Sequence, residues 1–139
     1  MKERRIICTP ADCISPLYRF RNMRQEHFGA IFLNSQREVI QIKDFFKGSD
    51  SMCHVYPKMI FWQACKKEAS YIILFHNHPS GFEEPSKLDI LLTDSFVRGG
   101  ELLGIQVLDH IIISKYRNYS FREHNLIGEE KDEPKVAAE

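Results

Sequence analysis

Alternating runs of apolar and polar residues divide this chain into a series of short strands and helices. The continuous apolar run at residues 71–75 is typical of a central strand that is covered on both faces. The apolar segments 27–33 and 39–46 flank a polar turn at 34–37, which predicts an antiparallel hairpin. In all, the pattern predicts strands at residues 4–7, 27–33, 39–46, 71–75 and 105–114.

Three helices are predicted between these strands from the residues at their ends. Pro10 and Pro57 each suit the first turn of a helix, where a missing backbone N–H removes no internal hydrogen bond. Ser86 is a typical N-cap residue, and the pair Gly99 and Gly100 is typical of a helix C-terminus. The helices are therefore expected at residues 10–23, 57–69 and 86–98.

The order of these elements predicts an α/β fold of the α+β type, with a single mixed β-sheet flanked by helices. The 139 residues of the chain are a common size for one domain. We expect that domain to occupy residues 1–127. The polar segment 128–139, rich in Glu and Lys, is expected to form a disordered tail.

Charge and cysteine content narrow the class of protein. The 19 basic residues balance the 19 acidic ones, so no overall positive field favours nucleic acid or an anionic membrane surface. No apolar run approaches the roughly 18 residues of a membrane span, and the four cysteines form no Cys-x-x-Cys pair. The chain is thus expected to be cytoplasmic, with free thiols and no membrane partner. A local basic patch stays open as a nucleic-acid surface, with Lys2, Arg4, Arg5, Arg19, Arg21 and Arg24 as its candidates.

The segment that follows the central strand carries the candidate chemistry. His76 and His78 stand two residues apart, and in extended backbone such residues point to the same side. With Ser86 as an N-cap, Asp89 lies in the first turn of the following helix and can face back toward the histidines. The residues therefore predict a metal site with two imidazoles and one carboxylate as ligands.

Three protein ligands with one open position are the arrangement of a catalytic zinc site, because structural zinc sites close all four positions. Zinc lowers the pKa of a coordinated water to about 7, which makes hydroxide available in neutral solution. Two simpler interpretations remain beside this one. The Asp89 carboxylate can simply interact with the positive end of the helix dipole, and Ser86 can act only as the N-cap of the helix.

The spacing of these residues resembles the motif of the JAMM (MPN+) metalloproteases, in which His-x-His precedes a serine and an aspartate at these offsets. The longer segments HNHPSG (76–81) and LLGIQVLDHIII (102–113) are similar to the RadC-like branch of that superfamily. The resemblance covers residues 6–114. It implies the cytidine-deaminase-like JAB (MPN) architecture, with one zinc ion at an edge of the sheet.

The resemblance also implies a glutamate upstream that moves protons during the reaction. In this chain it is Glu26, within the sequence QEHF at 25–28. The chemistry itself requires such a general base, which takes a proton from water and gives it to the leaving amine. Ser86 is then expected to donate a hydrogen bond to the developing oxyanion. The implied activity is zinc-dependent hydrolysis of a peptide or isopeptide bond in a protein or peptide substrate.

Two other functions remain open at this point. The first is a non-catalytic, zinc-stabilised interaction domain that binds DNA or a protein partner in DNA repair or recombination, as the RadC resemblance suggests. The second is a zinc phosphoesterase or nuclease, although such enzymes usually require more carboxylates or a second metal.

Three further features are left with alternatives or without an account. Asp109 and His110 lie inside an apolar strand, where they either orient a metal ligand or form an ordinary buried pair. Phe82 occupies a position where RadC-like sequences often have aspartate, and the segment 56–59 departs from their usual His-Pro-Arg-Glu. His27 has no informative spacing and is interpreted as an ordinary histidine.

Overall fold

The computed structural model describes residues 4–48 and 54–128. Its strands are β1 (His27–Leu33), β2 (Val39–Lys47), β3 (Tyr71–Asn77), β4 (Gln106–Ile113) and β5 (Asn118–Ser120). Its helices are α1 (Ile14–Leu17), which lies between the 3-10 helices Pro10–Cys13 and Tyr18–Asn22, then α2 (Pro57–Lys66) and α3 (Lys87–Leu103). The strands form one five-stranded sheet in the order β2-β1-β3-β4-β5.

The sheet is mixed, because it combines antiparallel neighbours with one parallel pair. Strand β1 is antiparallel to β2 and β3, and β5 is antiparallel to β4. Strands β3 and β4 are parallel and are connected through α3. This arrangement confirms the predicted α/β fold with a single mixed sheet. The two parallel strands end at the same edge of the sheet. The chain leaves β3 at that edge, and α3 begins close to it.

The two faces of the sheet bury different helices. On the α2/α3 face, Phe28 and Leu74 from the sheet pack with Phe61 of α2 and Phe96 of α3. On the N-terminal face, the sheet packs against the first helices through buried apolar residues that include Leu17, Phe20, Ile31, Ile73 and Leu108. Each face therefore has its own hydrophobic core.

The predicted boundary of α3 is wrong. The helix runs through Gly99 and Gly100 and ends at Leu103, with Gly104 in the left-handed conformation at φ 72°. A Cβ atom at Gly100 would lie 2.2 Å from the carbonyl oxygen of Ile105, so glycine is required there by close packing and not by a helix end. The residue that does end the helix is Gly104, through its positive φ.

Other element boundaries differ from the predictions for local reasons. The expected helix at 10–23 is a series of three short helices, since 3-10 turns flank α1 on both sides. The expected strand at 4–7 is reduced to one bridge between Ile6 and Glu38. Helix α2 ends at Lys66, and Glu68 follows it with a positive φ of 54°. Strand β5 was not predicted, because three residues carry no periodic signal.

Some predictions concern residues that the structure does not describe. Most of the expected tail at 128–139 and Lys2 lie outside the described ranges. Within the described ranges, no helix is both long enough and apolar enough to cross a membrane.

Candidate metal centre

His76 and His78 lie at the end of β3, where the alternation of side chains in extended backbone directs both to the same side. His76 is the last but one residue of β3, and His78 follows the strand directly. The backbone N–H of His78 donates to the carbonyl of Ile113 over 2.9 Å, which continues the extended pairing past the end of β3. The two imidazoles consequently lie on one side, with their Nε2 atoms 2.8 Å apart.

Asp89 reaches the histidines from the first turn of α3. Ser86 is the N-cap, and its hydroxyl oxygen accepts from the N–H of Asp89 over 3.1 Å. In return, Oδ2 of Asp89 accepts from the N–H of Ser86 over 2.9 Å. The same Oδ2 lies 3.5 Å from Nε2 of His76 and 3.4 Å from Nε2 of His78. The helix cap therefore orients the carboxylate toward both imidazoles.

Glu26 lies immediately before β1 and joins this group. One possible ligand atom from each of Glu26, His76, His78 and Asp89 can be chosen so that all four lie within 4.8 Å of one another. The structure thus brings the three predicted ligands and the predicted base together. Ser86 lies beside them as the cap of α3, and because it accepts from Asp89 its own hydroxyl proton can still be donated.

Asn77, a residue that no sequence pattern singled out, holds the segment that carries Glu26. It lies between the two histidines and points to the opposite side of β3. Its Oδ1 accepts from the N–H of His27, and its Nδ2 donates to the carbonyl of Gln25 over 2.9 Å. Asn77 is only 1% exposed. These bonds fix the residues on either side of Glu26.

The donor atoms fit a zinc ion in chemistry and nearly in spacing. Tetrahedral zinc with bonds of about 2.0–2.1 Å holds its donor atoms roughly 3.3–3.4 Å apart. The separations of 3.4 and 3.5 Å from Asp89 to the two histidines are of this size. The 2.8 Å between the imidazoles is shorter. A rotation that moves one ring by roughly 0.5 Å gives the spacing of a zinc site.

The electrostatics of the cluster favour a charged carboxylate. Burial by itself would raise the pKa of Asp89, but the neighbouring imidazoles of His76 and His78 outweigh it and hold the pKa well below its usual range. Burial opposes ionisation of His78 too, yet its bonds to Asp89 and to the carbonyl of Phe82 raise its pKa.

At Phe82, where RadC-like sequences often have aspartate, the main chain contacts the site. Nδ1 of His78 donates to the carbonyl oxygen of Phe82 over 2.8 Å, which directs Nε2 of His78 into the cluster. The Phe82 side chain itself is 75% exposed. Its carbonyl orients His78, and that function does not depend on the aromatic ring.

Asp109 and His110 point to opposite faces of β4, so they do not form the buried pair that the sequence left open. His110 is fully buried on the α2/α3 face, where its Nε2 lies 2.6 Å from Nδ1 of His76. Asp109 lies on the N-terminal face and accepts from the hydroxyl of Ser120 and the N–H of Arg122. His27, interpreted as ordinary, pairs with Asp44 of β2 and lies outside the four-residue cluster.

The sequence also matches a known family over most of its length. A family model described as the RadC-like JAB domain matches residues 7–126. This chain belongs to the RadC-like JAB domain family. The family assignment agrees with the resemblance carried by His76, His78, Ser86 and Asp89, and with the mixed sheet of the structure.

Curated relatives of this RadC-like JAB domain are UPF0758 proteins from several bacteria. One from Clostridium kluyveri is 42% identical over 122 residues, which are 87% of this chain and 54% of the relative. One from Bacillus mycoides is 40% identical over 123 residues, covering 88% and 55%. One from Enterococcus faecalis is 41% identical over 114 residues, covering 82% and 49%. The chain spans about half the length of the curated relatives it matches.

Proposed function

We propose that this RadC-like JAB domain is a zinc-dependent hydrolase that cleaves an amide bond, either peptide or isopeptide, in a protein or peptide substrate. The observation that carries the proposal is the convergence of His76, His78 and Asp89 with a fourth group, the carboxylate of Glu26. Two imidazoles and one carboxylate are a donor set typical of catalytic zinc, which keeps a position open for the reaction. The fourth group supplies the base that amide hydrolysis requires.

The choice of zinc rests on the donor atoms. Imidazole nitrogen suits zinc and other late transition metals, whereas magnesium and calcium prefer oxygen donors throughout. When bound, a zinc ion supplies Lewis acidity, which polarises a carbonyl group and makes hydroxide available near neutral pH.

The residues of the chain supply the remaining steps. The Glu26 carboxylate takes a proton from water as the new carbon–oxygen bond forms. It then delivers that proton to the amine nitrogen as the carbon–nitrogen bond breaks. Ser86 donates its hydroxyl proton to the carbonyl oxygen as negative charge develops there. Asn77 keeps Glu26 at its place through the bonds to Gln25 and His27.

The first test is metal content. We expect one zinc per chain in the purified wild type by elemental analysis, and its loss in Asp89→Ala, because that substitution removes one of three ligands. Absence of zinc from the wild type after zinc has been supplied would contradict the proposed metal site.

The second test separates metal binding from chemistry. In Glu26→Gln we expect zinc to be retained and hydrolysis of fluorogenic peptides and Lys-linked isopeptides to be lost, because an amide cannot take the proton. Glu26→Asp is the matched control that keeps a carboxylate. Full hydrolysis by Glu26→Gln would overturn the role of Glu26. A wild type that holds zinc but cleaves neither substrate class would favour the interaction domain instead.

A further inference from the structure

A chain of hydrogen bonds runs from α3 through the core to the metal cluster. The hydroxyl of Thr93 donates to the carbonyl of Asp89 over 2.7 Å, and its oxygen lies 2.6 Å from Nδ1 of His110. Nε2 of His110 in turn lies 2.6 Å from Nδ1 of His76. Thr93 and His110 thus connect one candidate ligand, His76, with the helical turn that carries another, Asp89.

The direction of these bonds determines where each proton lies. A carbonyl oxygen can only accept, so the single proton of the Thr93 hydroxyl is committed to Asp89. The hydroxyl oxygen can then only accept from His110, which places the proton of His110 on Nδ1. Nε2 of His110 is left with a lone pair, so it accepts from Nδ1–H of His76.

The consequence falls on the atom of His76 that faces the cluster. With the proton of His76 on Nδ1, its Nε2 presents a lone pair toward Asp89 and His78. A metal binds the unprotonated nitrogen of an imidazole. The opposite tautomer would present an N–H, which cannot be a ligand.

Burial prevents water from replacing this chain. His76 and His110 are fully buried, and Thr93 is 1% exposed. The His110 ring is stacked on Phe121 with a centroid distance of 4.4 Å, and Phe28 contacts it edge-on at 5.3 Å. These contacts hold the His110 ring in the orientation that both hydrogen bonds need.

We propose that Thr93 and His110 are positioning residues that fix the tautomer of His76 and join it to the first turns of α3. This inference rests on the proposed metal site and deepens it. His78 is oriented separately, through the Phe82 carbonyl. The two imidazoles of the site therefore have independent supports, one from the core and one from the loop after β3.

The test compares two conservative variants at one position. Thr93→Val has nearly the same shape but neither donates nor accepts, whereas Thr93→Ser keeps the hydroxyl. We expect Thr93→Val to lower zinc affinity about 10–100-fold, as is typical for partners of a metal ligand, and Thr93→Ser to bind zinc much like the wild type. Affinity is measured by competition with a chromogenic chelator. Equal affinity in wild type and Thr93→Val would overturn the inference.

A second readout needs no metal. Nitrogen-15 chemical shifts of the histidines in the zinc-free chain, recorded at a pH where they are neutral, report which nitrogen carries the proton. In the wild type and Thr93→Ser we expect the proton of His76 on Nδ1. In Thr93→Val, Nδ1 of His110 has no acceptor, so we expect the proton of His76 to shift toward Nε2. The same tautomer in all three chains would overturn the inference.

The two readouts separate failure of this inference from failure of the proposed function. A zinc-bound wild type without hydrolase activity, combined with weak zinc binding by Thr93→Val, would contradict the activity and support the positioning role. An active enzyme whose zinc affinity and His76 tautomer are unchanged in Thr93→Val would do the reverse. If the wild type binds no zinc, the nitrogen-15 shifts still decide where the proton lies.

Discussion

Asp109 and His110 are consecutive residues of β4, are both buried, and lie in two different polar networks. On the α2/α3 face, His110 belongs to a chain of hydrogen bonds that runs from Thr93 to His76. On the N-terminal face, Asp109 is a carboxylate that accepts from the Ser120 hydroxyl over 2.6 Å and from the N–H of Arg122 over 3.0 Å. One network leads to the metal cluster, and the other ties β4 to β5 and to the turn after β5.

Asp109 and His110 are both buried but have different roles. Burial raises the pKa of Asp109 although its hydrogen bonds oppose that rise, and burial lowers the pKa of His110 far below its ordinary value. In both cases the low-polarity core disfavours the charged form. The hydrogen bonds of Asp109 hold two segments together, which affects stability. Those of His110 decide the orientation of a neighbouring side chain, which affects binding.

The largest effect on stability is expected at Asp109. Asp109→Ala leaves the Ser120 hydroxyl and the N–H groups of His110 and Arg122 without this acceptor. We expect the free energy of unfolding to fall by about 3 kcal/mol in urea titrations. Zinc affinity should stay within about twofold of wild type, as for an independent site. Asp109→Asn, which keeps one acceptor oxygen, should lose less. A large loss of zinc affinity in Asp109→Ala would remove the distinction between the two networks.

A substitution at Asn77 tests whether a residue on the N-terminal face can affect the reaction at the metal cluster. Its side chain lies on the N-terminal side of β3, yet its bonds fix the residues next to Glu26. Asn77→Ala should lower the free energy of unfolding by about 2 kcal/mol, because a buried donor and acceptor lose their partners. Zinc content should be unchanged while hydrolysis falls, since the ligands stay and Glu26 loses its support. Hydrolysis at the wild-type rate would confine Asn77 to a role in stability.

Cys13 allows a smaller test of the N-terminal face through pH. Burial, together with the nearby Asp109, raises the pKa of its thiol to about 12 from an ordinary value of 9.0. Above pH 9 the unfolded chain loses the thiol proton while the folded chain keeps it, so stability falls as pH rises toward 12. The loss reaches at most about 1.4 kcal/mol per pH unit.

The matched variants for this test are Cys13→Ala and Cys8→Ala. Cys13 is buried and Cys8 is exposed. Urea titrations between pH 8.5 and 10.5 should therefore show a shallower pH dependence only in Cys13→Ala. An identical slope in all three chains would mean that the Cys13 thiol ionises in the folded state as easily as in the unfolded one.

The sheet and the cluster were largely readable from the sequence because both depend on local patterns. The apolar run that predicted a central strand at 71–75 lies within β3, and the alternation of His76 and His78 follows from extended backbone. Ser86 as the cap of α3 placed Asp89 in its first turn. Each of these inferences needed only a short stretch of consecutive residues.

What the sequence did not reveal depends on contacts between distant segments. Gly100 looked like a helix end, and its actual constraint is the Ile105 carbonyl beyond the helix. Thr93 and His110 meet His76 because the register of β3 and β4 pairs Leu74 with His110. A threonine inside a helix carries no mark of such a contact. The sequence left the role of orienting a metal ligand open for Asp109 and His110, and of these two only His110 contacts His76.

The order of His76, Asn77 and His78, where β3 ends, limits how this protein can change in evolution. His76 and His78 face the cluster, while Asn77 faces the other side and fixes the segment around Glu26. A substitution at one position alters one of these tasks. Insertion or deletion of a single residue just before them would exchange the sides of all three at once. Descendants of this sequence can therefore vary the composition of the segment more freely than its length.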